Sequence, residues 1–562
     1  MPVLTQNSPC LLSHLLQIQI MANANQRCHP NNGTSAPKGK RDREHGMFED
    51  PLVEERTEER GKELQRKLAV LESENRLLEI YEFILRHRPG TPVRPHPTIR
   101  GGYNAIFRIE YTDGSAILRL ALPGSVAFPD EKVRTEVATI RFIEKMTSIP
   151  VPRIHHWGTA AENPLGLGAF IIMEYIPHVQ NLCDVLEDST VEDLERQYLD
   201  PGISKDKLER MYKQVADIIL QLSKLEMPKI GSLREHQGSF KVGSRPLTQD
   251  MNDLIIQGGI PPSVLPPEHT TYSTSDEWYS TLADLHVAHL AFQHNKAIDS
   301  ADDCRDKFVA RHLFRQRIRH GKLLEQATTN QTAASGTRPR RPQKRKTKEK
   351  FRLWIDDFRP HNILVDADLN IVGVIDWEWA YFAPASFAHD PPWWLLLGRP
   401  EFWRGTVLDF RDEFVGVLDV FLAALRAQEN LALREEAERE EAEEEWSIDH
   451  HIEALSLDAD QAVRLSDRMK RNWDSGVFWA NYAARRCYGF EPVFWEFLDE
   501  RFFGENVEGG YEGRMHLLSG DVKRRLALFV EKKVEESKEP KIVDWDPNEA
   551  RSYLAEILSD LD

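Results

Sequence analysis

Residues 354–378 read WIDDFRPHNILVDADLNIVGVIDWE, and this stretch decides the fold. Its second half holds two short apolar segments rich in β-branched residues on either side of the polar run 366–370. Polar turn formers between such segments predict a β-hairpin. Asp357 and Asn362 precede the first strand and Asp376 ends the second. Pairing the strands therefore brings the three side chains to one edge.

Two carboxylates and an amide at one edge suggest cation chemistry. Hard divalent cations prefer oxygen ligands from carboxylates and amides. A carboxylate that is not used as a ligand can accept a proton from a substrate. The stretch can thus hold a hard cation and leave one carboxylate free as a base.

This stretch resembles the catalytic and metal-binding segments of the protein-kinase-like fold, in which an Asp, four residues and an Asn form the catalytic loop. Pro360 and the Ile-Asp-Trp-Glu ending make it more similar to the aminoglycoside phosphotransferase family, which includes choline-kinase-like enzymes, and to its fungal-type members in particular. The resemblance implies that Asp357 is the catalytic base and that Asn362 and Asp376 hold Mg²⁺ on ATP. The family usually has His where this chain has Ile355. That His helps to hold the loop in place, and the sequence does not indicate which residue does so here.

The resemblance also implies the architecture, an α+β, two-lobed protein-kinase-like fold with a small β-rich N-lobe and a larger, mainly helical C-lobe. A length of 562 residues agrees with two lobes plus extensions. In the C-lobe we expect a basic low-complexity insert at about 325–350 and an acidic, exposed segment at about 434–446. The predicted domains are a disordered segment at 1–50, an amphipathic helix extension at 51–88, the N-lobe at 89–178 and the C-lobe at 179–562.

The N-terminal part of the chain changes from helical to strand patterning. Apolar residues recur at helical spacing over 52–87, which predicts an amphipathic helix that ends near Pro89. We expect it to pack on the N-lobe, and self-association with another chain is the alternative. Residues 105–121 then predict a hairpin that turns at 112–114. Gly101 and Gly102 precede it, where the kinase-like fold places its nucleotide-covering loop and where a missing Cβ lets backbone N–H groups approach phosphates.

The resemblance assigns four more residues to the nucleotide site. Arg119 lies in an apolar strand, and Glu136 lies in a helix predicted over about 130–145. In the family a Lys at the position of Arg119 contacts the α- and β-phosphates and pairs with a Glu of the next helix. A surface Arg is the alternative for this position. The strand at 169–176 resembles the hinge strand, whose backbone near Glu174 and Ile176 would hold the adenine edge.

The C-lobe is predicted to be helical, with helices over 208–225 and 278–294. Residues 237–275 are rich in Pro, Gly, Ser and Thr, which predicts a loop. The many aromatic residues after Asp376 are expected to form the core. Asp390 resembles a family Asp and is expected to hold the catalytic loop by hydrogen bonds, whereas Asp356 is expected to face away from the site.

Composition narrows the classes of function. The net charge of -18 argues against a nucleic-acid-binding protein and is compatible with a cationic acceptor. Five scattered cysteines show no spacing typical of zinc or a disulfide framework, which favours a reducing compartment. No apolar run of about 18 residues occurs, so no membrane span is expected. We predict a cytoplasmic protein, and the basic insert at 325–350 is compatible with a nuclear one.

These observations favour an ATP-dependent phosphotransferase that acts on a hydroxyl of a small molecule. The alternative is a kinase-fold pseudoenzyme that binds nucleotide or a partner protein without efficient transfer, which Ile355 and Arg119 suggest. A third hypothesis is an interaction scaffold built on the 52–87 helix, whose self-association a truncation near residue 90 would remove.

Overall fold

The computed structural model has two lobes, and it confirms the predicted α+β, two-lobed kinase-like fold. The smaller lobe is a twisted antiparallel sheet with one helix on each face. The larger lobe is mainly helical and contains three small sheets. The residues that the structure describes are 50–56, 58–59, 62, 66, 76–100, 104–121, 124–191, 197–324, 349–444 and 463–560.

The N-lobe sheet contains six strands in the order β1-β3-β4-β6-β5, with β2 paired to β3. The predicted hairpin is confirmed, since β3 and β4 pair from Asn104 opposite Ala121 to Tyr111 opposite Gly114. The strands are β1 (Pro92–Pro95), β2 (Ile99–Arg100), β3 (Asn104–Tyr111), β4 (Gly114–Ala121), β5 (Ile154–Gly158) and β6 (Phe170–Glu174).

Alternation along the strands divides this sheet into two faces. Ala116 and Leu118 of β4 pack with Phe83 and other residues of helix α1 (Arg76–His87). Residues on the other face of β6 pack with helix α2 (Pro129–Met146), which confirms the helix predicted over about 130–145. Arg119 stands between Leu118 and Leu120 and therefore points towards the α2 face.

The N-terminal extension contacts both lobes. Helix α1 ends at His87, as predicted, and its apolar face is buried on the sheet, so packing on the N-lobe is confirmed. Asp50, which was assigned to the disordered segment, is instead buried in the C-lobe, where its carboxylate accepts hydrogen bonds of 2.8 and 2.9 Å from Asn295. The rest of the segment predicted as disordered, 1–49, lies outside the described residues.

The C-lobe helices include the two that the sequence predicted, at 208–225 and 278–294, which the structure places at α4 and α6. The helices are α3 (Leu182–Leu186), α4 (Lys205–Ser223), α5 (Gln249–Ile256), α6 (Ser275–Phe292), α7 (Ala301–Arg319), α8 (Ala385–Ala388), α9 (Val407–Glu444), α10 (Leu465–Asp474), α11 (Val477–Arg485), α12 (Phe490–Val493), α13 (Asp499–Phe503), α14 (Gly520–Glu536) and α15 (Pro547–Asp560).

Three small sheets lie among these helices, in the orders β10-β9, β14-β11-β8 and β13-β12-β7. Two of them frame the stretch at 354–378, because β11 leads into it and β12 and β13 lie within it. The strands are β7 (Gln180–Asn181), β8 (Glu226–Met227), β9 (Ser232–His236), β10 (Ser239–Ser244), β11 (Phe351–Ile355), β12 (Ile363–Val365), β13 (Ile371–Val374) and β14 (Ala380–Ala383).

The loop predicted at 237–275 is wrong in part, because this region contains β10 and α5. Helix α5 begins where the Thr248 hydroxyl accepts a hydrogen bond of 3.0 Å from the Met251 N–H. Met251 and Leu254 are buried in the core. Of the residue types that indicated a loop, Thr248 caps this helix, and the polar residues along the helix are buried.

The aromatic residues after Asp376 are confirmed as core, since Trp377, Trp394 and Phe387 are buried. The acidic segment is helical as far as Glu444, and residues 434–438 are exposed, as predicted. Residues 325–348 of the basic insert lie outside the described residues. Three described cysteines are buried and unpaired. A search of the described helices found none with the length and hydropathy of a membrane span.

The buried face of α1 gives the first prediction. Ile84 is fully buried between α1 and the sheet, so Ile84→Ala should lower the free energy of unfolding by about 2–5 kcal/mol. Chemical denaturation measures this change. Glu82→Ala, on the exposed face of the same helix, is the matched control and should change little. Equal stability of the two variants would show that α1 does not stabilise the N-lobe.

Candidate active site

The hairpin predicted from residues 354–378 forms and sets the geometry of the site. Strands β12 and β13 pair with Ile363 opposite Val374. The Ile375 N–H donates a hydrogen bond of 2.9 Å to the Asn362 carbonyl. Asn362 therefore lies beside the end of β13, where Asp376 follows, so the predicted meeting of these side chains at one edge is confirmed.

Asp357 is held at this edge by its own loop. The Asn362 amide donates a hydrogen bond of 2.8 Å to the Asp357 carbonyl and lies 3.4 Å from its Oδ2. The Arg359 Nε lies 2.9 Å from Asp357 Oδ1, at ion-pair distance. Burial raises the pKa of Asp357, and the charge on Arg359 partly opposes this shift. A buried carboxylate with a raised pKa is a stronger base than an exposed one.

The backbone at Asp376 adopts a conformation that is rare for residues other than glycine. Its φ angle is 62°, in the left-handed region, and Trp379 has the same φ. Such conformations typically cost about 1–3 kcal/mol and persist where the surroundings hold them. Two such residues within four positions indicate that the surrounding contacts hold this segment in a fixed backbone conformation.

Arg119 links this segment to the N-lobe through a buried ion cluster. Arg119 Nη1 donates a hydrogen bond of 2.9 Å to Asp376 Oδ1, and its Nη2 contacts Glu136 Oε2 and lies 3.5 Å from Glu378 Oε2. Lys132, one turn before Glu136 on α2, contacts Glu378 Oε2 as well. We call Arg119, Lys132, Glu136, Asp376 and Glu378 the Arg119 cluster. It ties β4, α2 and the end of β13 together.

The Arg119 cluster consists of three carboxylates and two cations in a buried setting. Burial raises the pKa values of Glu136 and Glu378, while the neighbouring cations oppose the shift. Glu136 Oε1 and Glu378 Oε1 are buried without a hydrogen-bond partner among the described residues. Further positive charge at this place would therefore be stabilised.

The donor set suits Mg²⁺. The oxygens of Asn362 and Asp376, with the buried unpartnered oxygens of the Arg119 cluster close by, are the hard ligands that Mg²⁺ prefers. No group of three or more His, Cys, Asp or Glu side chains in the described chain is placed to hold a metal by itself. Mg²⁺ is usually bound by one or two protein ligands together with phosphate oxygens, so such a sparse set is compatible with a metal that arrives with a nucleotide.

Asp356 braces the loop that carries Asp357 and Asn362, a role that the sequence did not predict. It accepts hydrogen bonds of 2.7 Å from Trp354 Nε1, 3.3 Å from the Tyr381 hydroxyl and 3.1 Å from the Gln249 N–H. These donors come from β11, β14 and α5. Sequence reasoning could not find this role, because α5 was predicted to be a loop.

Ile355, where the family usually has His, lies in an apolar setting. It is buried and, with Phe358 and Trp393, lines a cavity of about 70 Å³. The walls of this cavity are mainly apolar, with Ser223 and Asp390 as polar lining residues. In this chain the loop is braced by the next residue, Asp356.

Asp390 does not hold the catalytic loop directly, which corrects the prediction. Its carboxylate accepts hydrogen bonds of 2.9 Å from Asn472 and Asn481 and 3.0 Å from Arg485, on α10 and α11. Burial raises the pKa of Asp390 to about 6. Its link to the loop is indirect, because the Arg485 guanidinium lies 4.3 Å from the ring centre of Trp354.

The other predicted nucleotide residues divide into two groups. Gly101 and Gly102 lie outside the described residues. Glu174 ends β6, and its carboxylate contacts Arg88 at 3.1 Å and His155 at 2.6 Å, away from Arg119. Ile176 packs closely on β13, since a Cβ added to Gly373 would lie only 2.6 Å from the Ile176 side chain. The predicted hinge therefore lies alongside β13. Their adenine contacts stay a prediction.

Several residues at the site were missed by sequence reasoning. Lys132 carried a weak signal, because it stands four residues before Glu136 on one helix face. Glu378 belongs to the quoted stretch but had been given no role. Arg359 gave no signal, since a single Arg in a loop is usually a solvated side chain.

Comparisons with known proteins found one protein family and several similar proteins. A model of a phosphotransferase enzyme family matches residues 96–414. A subtelomeric hrmA-associated cluster protein of Aspergillus fumigatus is 25% identical over 134 residues, which are 24% of this chain and 23% of that protein. The chain thus spans about a quarter of the length of this relative.

Two solved structures are similar to this chain. Aminoglycoside phosphotransferase APH(4)-Ia is 12% identical, with 71% of this chain and 99% of that chain covered and a TM-score of 0.33. A macrolide 2'-phosphotransferase type I is 10% identical, with 75% and 96% covered and a TM-score of 0.34.

The brace at Asp356 generates the second prediction. Asp356→Ala leaves the Trp354, Tyr381 and Gln249 donors without their acceptor and should lower the free energy of unfolding by about 1–3 kcal/mol. Thermal or chemical unfolding measures the loss. Asp368→Ala, in the exposed turn of the β12–β13 hairpin, is the control. If Asp356→Ala is no less stable than this control, Asp356 is not the brace.

Proposed function

The chain belongs to this phosphotransferase enzyme family, whose model matches more than half of it, and on this premise we propose that it transfers the γ-phosphoryl group of ATP to a hydroxyl of a small molecule. One observation carries the proposal. Asp357, Asn362 and Asp376 share one edge, and Arg119 reaches that edge from the N-lobe at 2.9 Å from Asp376. A base, metal ligands and a phosphate-binding cation are thus adjacent, as transfer between two bound substrates requires.

Asp357 acts on the acceptor. Its carboxylate accepts the proton of the acceptor hydroxyl as the oxygen bonds to the γ-phosphorus, and the bond from the γ-phosphorus to the β–γ bridging oxygen breaks, releasing ADP. The Asn362 side-chain amide donates a hydrogen bond to the Asp357 carbonyl. The position of the base is therefore fixed before the acceptor binds. Arg359 limits the directions in which Asp357 can turn.

Arg119 and its partners act on the nucleotide. Asn362 and Asp376 would hold Mg²⁺, which supplies neutralising charge to the phosphates. Glu136 and Glu378 keep the guanidinium of Arg119 beside Asp376, where it can contact the α- and β-phosphates. Lys132 fixes Glu378 in turn. This arrangement keeps α2 against the sheet before a nucleotide binds.

The pseudoenzyme alternative is favoured by one contact. Arg119 occupies Asp376 Oδ1, an oxygen that Mg²⁺ would use. In the catalytic proposal, Arg119 transfers its hydrogen bond to a phosphate oxygen when the nucleotide binds. In a pseudoenzyme it keeps Asp376, and no turnover follows.

The third prediction separates these two functions. Asp376→Ala removes a metal carboxylate and should abolish Mg²⁺-dependent ADP formation. A coupled assay of ADP over a panel of hydroxylated metabolites measures it. Asp368→Ala is again the exposed control. Turnover near the wild-type rate in Asp376→Ala would contradict the assignment of this carboxylate, and no turnover by the wild type with any acceptor would favour the pseudoenzyme.

The fourth prediction concerns the base. Asp357→Asn keeps the size of the side chain but cannot take up the proton, so kcat should fall by about 100-fold or more. The affinity for ATP, measured by calorimetry, should stay within a few fold. An unchanged kcat would exclude Asp357 as the base.

A further inference from the structure

The cavity at Ile355 adjoins the loop that carries Asp357. Its walls come from the end of α4, from β11, from the end of α8 and the segment that follows it, and from α10. Ile355 and Phe358, on either side of Asp357 in the chain, line the cavity, whereas Asp357 and Asn362 do not. The cavity is therefore distinct from the edge at which transfer is proposed, although both involve the same loop.

The walls of the cavity are largely aromatic. Four of the lining side chains carry rings, namely Trp354, Phe358, Trp393 and Trp394. Apolar walls around an empty space lose the dispersion contacts that close packing would give. Aromatic side chains regain such contacts best with another ring, packed in an offset or edge-to-face arrangement. The walls thus favour an aromatic occupant.

The polar groups at the cavity suit a ligand with one hydrogen-bond donor. Of the described lining residues, Ser223 contributes a hydroxyl and Asp390 a carboxylate. The carboxylate already accepts three hydrogen bonds from side chains of α10 and α11. The Ser223 hydroxyl donates a hydrogen bond of 2.8 Å to the Leu220 carbonyl, so its oxygen can still accept one. Buried water typically needs two to four polar partners, which these walls do not offer.

The size of the cavity limits the occupant to one ring. A buried water needs about 10–15 Å³ of such space, so a cavity of about 70 Å³ holds about five to seven non-hydrogen atoms. Phenol has about this size and carries one donor. Ile219, Phe358 and Trp393 of the walls are half-buried, so a ring can enter from the surface.

We propose that this cavity binds a phenol-sized aromatic ligand, whose ring packs on the aromatic walls and whose hydroxyl donates a hydrogen bond to Ser223 Oγ. This site goes beyond the proposed transfer, because the ligand is an effector and not the phosphate acceptor. The bound ring contacts Ile355 and Phe358, so its binding depends on the conformation of the loop that carries the base. By linkage, the occupied cavity biases that conformation in return.

Saturation-transfer difference NMR on the full chain tests the binding. Phenol and toluene should both receive saturation from the wild type, whereas cyclohexanol, which has the hydroxyl without the flat ring, should bind more weakly than phenol. No transfer to phenol, or equal affinities for phenol and cyclohexanol, would overturn the proposal.

The hydroxyl contact is tested with Ser223→Ala. This variant should weaken the binding of phenol by about 2- to 10-fold, the contribution of one hydrogen bond, and leave the binding of toluene unchanged. Ser559→Ala is the matched control, since the Ser559 hydroxyl also donates to a carbonyl three residues earlier, on an exposed helix face. Unchanged binding of phenol in Ser223→Ala would contradict the contact and overturn the proposal.

Two substitutions at one position locate the ring. Ile219→Phe fills the mouth of the cavity and should abolish the binding of phenol and toluene, whereas Ile219→Val keeps the space and should retain it. Ala388→Leu, on the opposite wall segment, fills the cavity in a second way, and thermal unfolding shows which variants are folded. Binding of phenol by folded Ile219→Phe and Ala388→Leu would place the ring elsewhere and overturn the proposal.

Turnover separates an effector from an acceptor. With Mg²⁺, ATP and phenol alone, no phenyl phosphate should form. With any acceptor that the chain phosphorylates, saturating phenol should change kcat without competing for the acceptor site. Formation of phenyl phosphate, or competition between phenol and the acceptor, would place the ring beside Asp357 and overturn the proposal. The binding measurements need no turnover, so they decide on the cavity even if the proposed transfer fails.

Discussion

The ion contacts of Arg119 are the interaction on which the rest of the structure depends. A buried guanidinium is tolerated only when its charge is compensated, and here the compensation comes from α2 and from the segment after β13. The same contacts hold the N-lobe helix against the proposed metal-binding edge of the C-lobe. Replacing a family Lys by Arg is therefore more than an exchange of charge, since the planar fork reaches several carboxylates at once.

Hydrogen bonds also brace the loop that carries Asp357. Its two adjacent aspartates have different contacts: Asp357 lies at the proposed metal-binding edge, while Asp356 accepts hydrogen bonds from three elements. This division explains how the loop is braced although Ile355 stands where His is usual. The brace has moved by one residue and has changed from a ring to a carboxylate. Helix α5 takes part in this brace through the Gln249 N–H.

Local patterns in the sequence were sufficient to predict much of this. The hairpin of β12 and β13, and with it the meeting of Asn362 and Asp376, follows from the spacing of apolar and turn residues over about twenty positions. Helix α2 was predicted correctly as well, whereas the two lobes were expected from the family resemblance. The hairpin and helix α2 depend on neighbours along the chain, where periodicity and turn chemistry are informative.

What the sequence did not reveal depends on partners that are distant along the chain. Arg119 and Asp376 are 257 residues apart, and Asp356 and Gln249 are 107 apart. Helix α5 was missed because its polar residues are buried by contacts that no local window contains. The partner predicted for Asp390 was wrong for the same reason, because its hydrogen-bond donors come from α10 and α11. Lys132 and Glu378 contact each other only because the fold brings their two segments side by side, so neither segment alone could predict their roles.

Calorimetric titration of the full chain with ATP, once with Mg²⁺ and once with excess EDTA, tests the nucleotide site most directly. The carboxylate of Asp376 repels phosphates and, with Asn362, offers oxygen ligands to Mg²⁺, so Mg²⁺ should be needed to bring phosphates to this edge. We expect ATP to bind with Mg²⁺ and at least about tenfold more weakly without it, a difference of about 1.4 kcal/mol. No binding of ATP in the presence of Mg²⁺, or equal affinity in both titrations, would contradict a metal-dependent nucleotide site at Asn362 and Asp376.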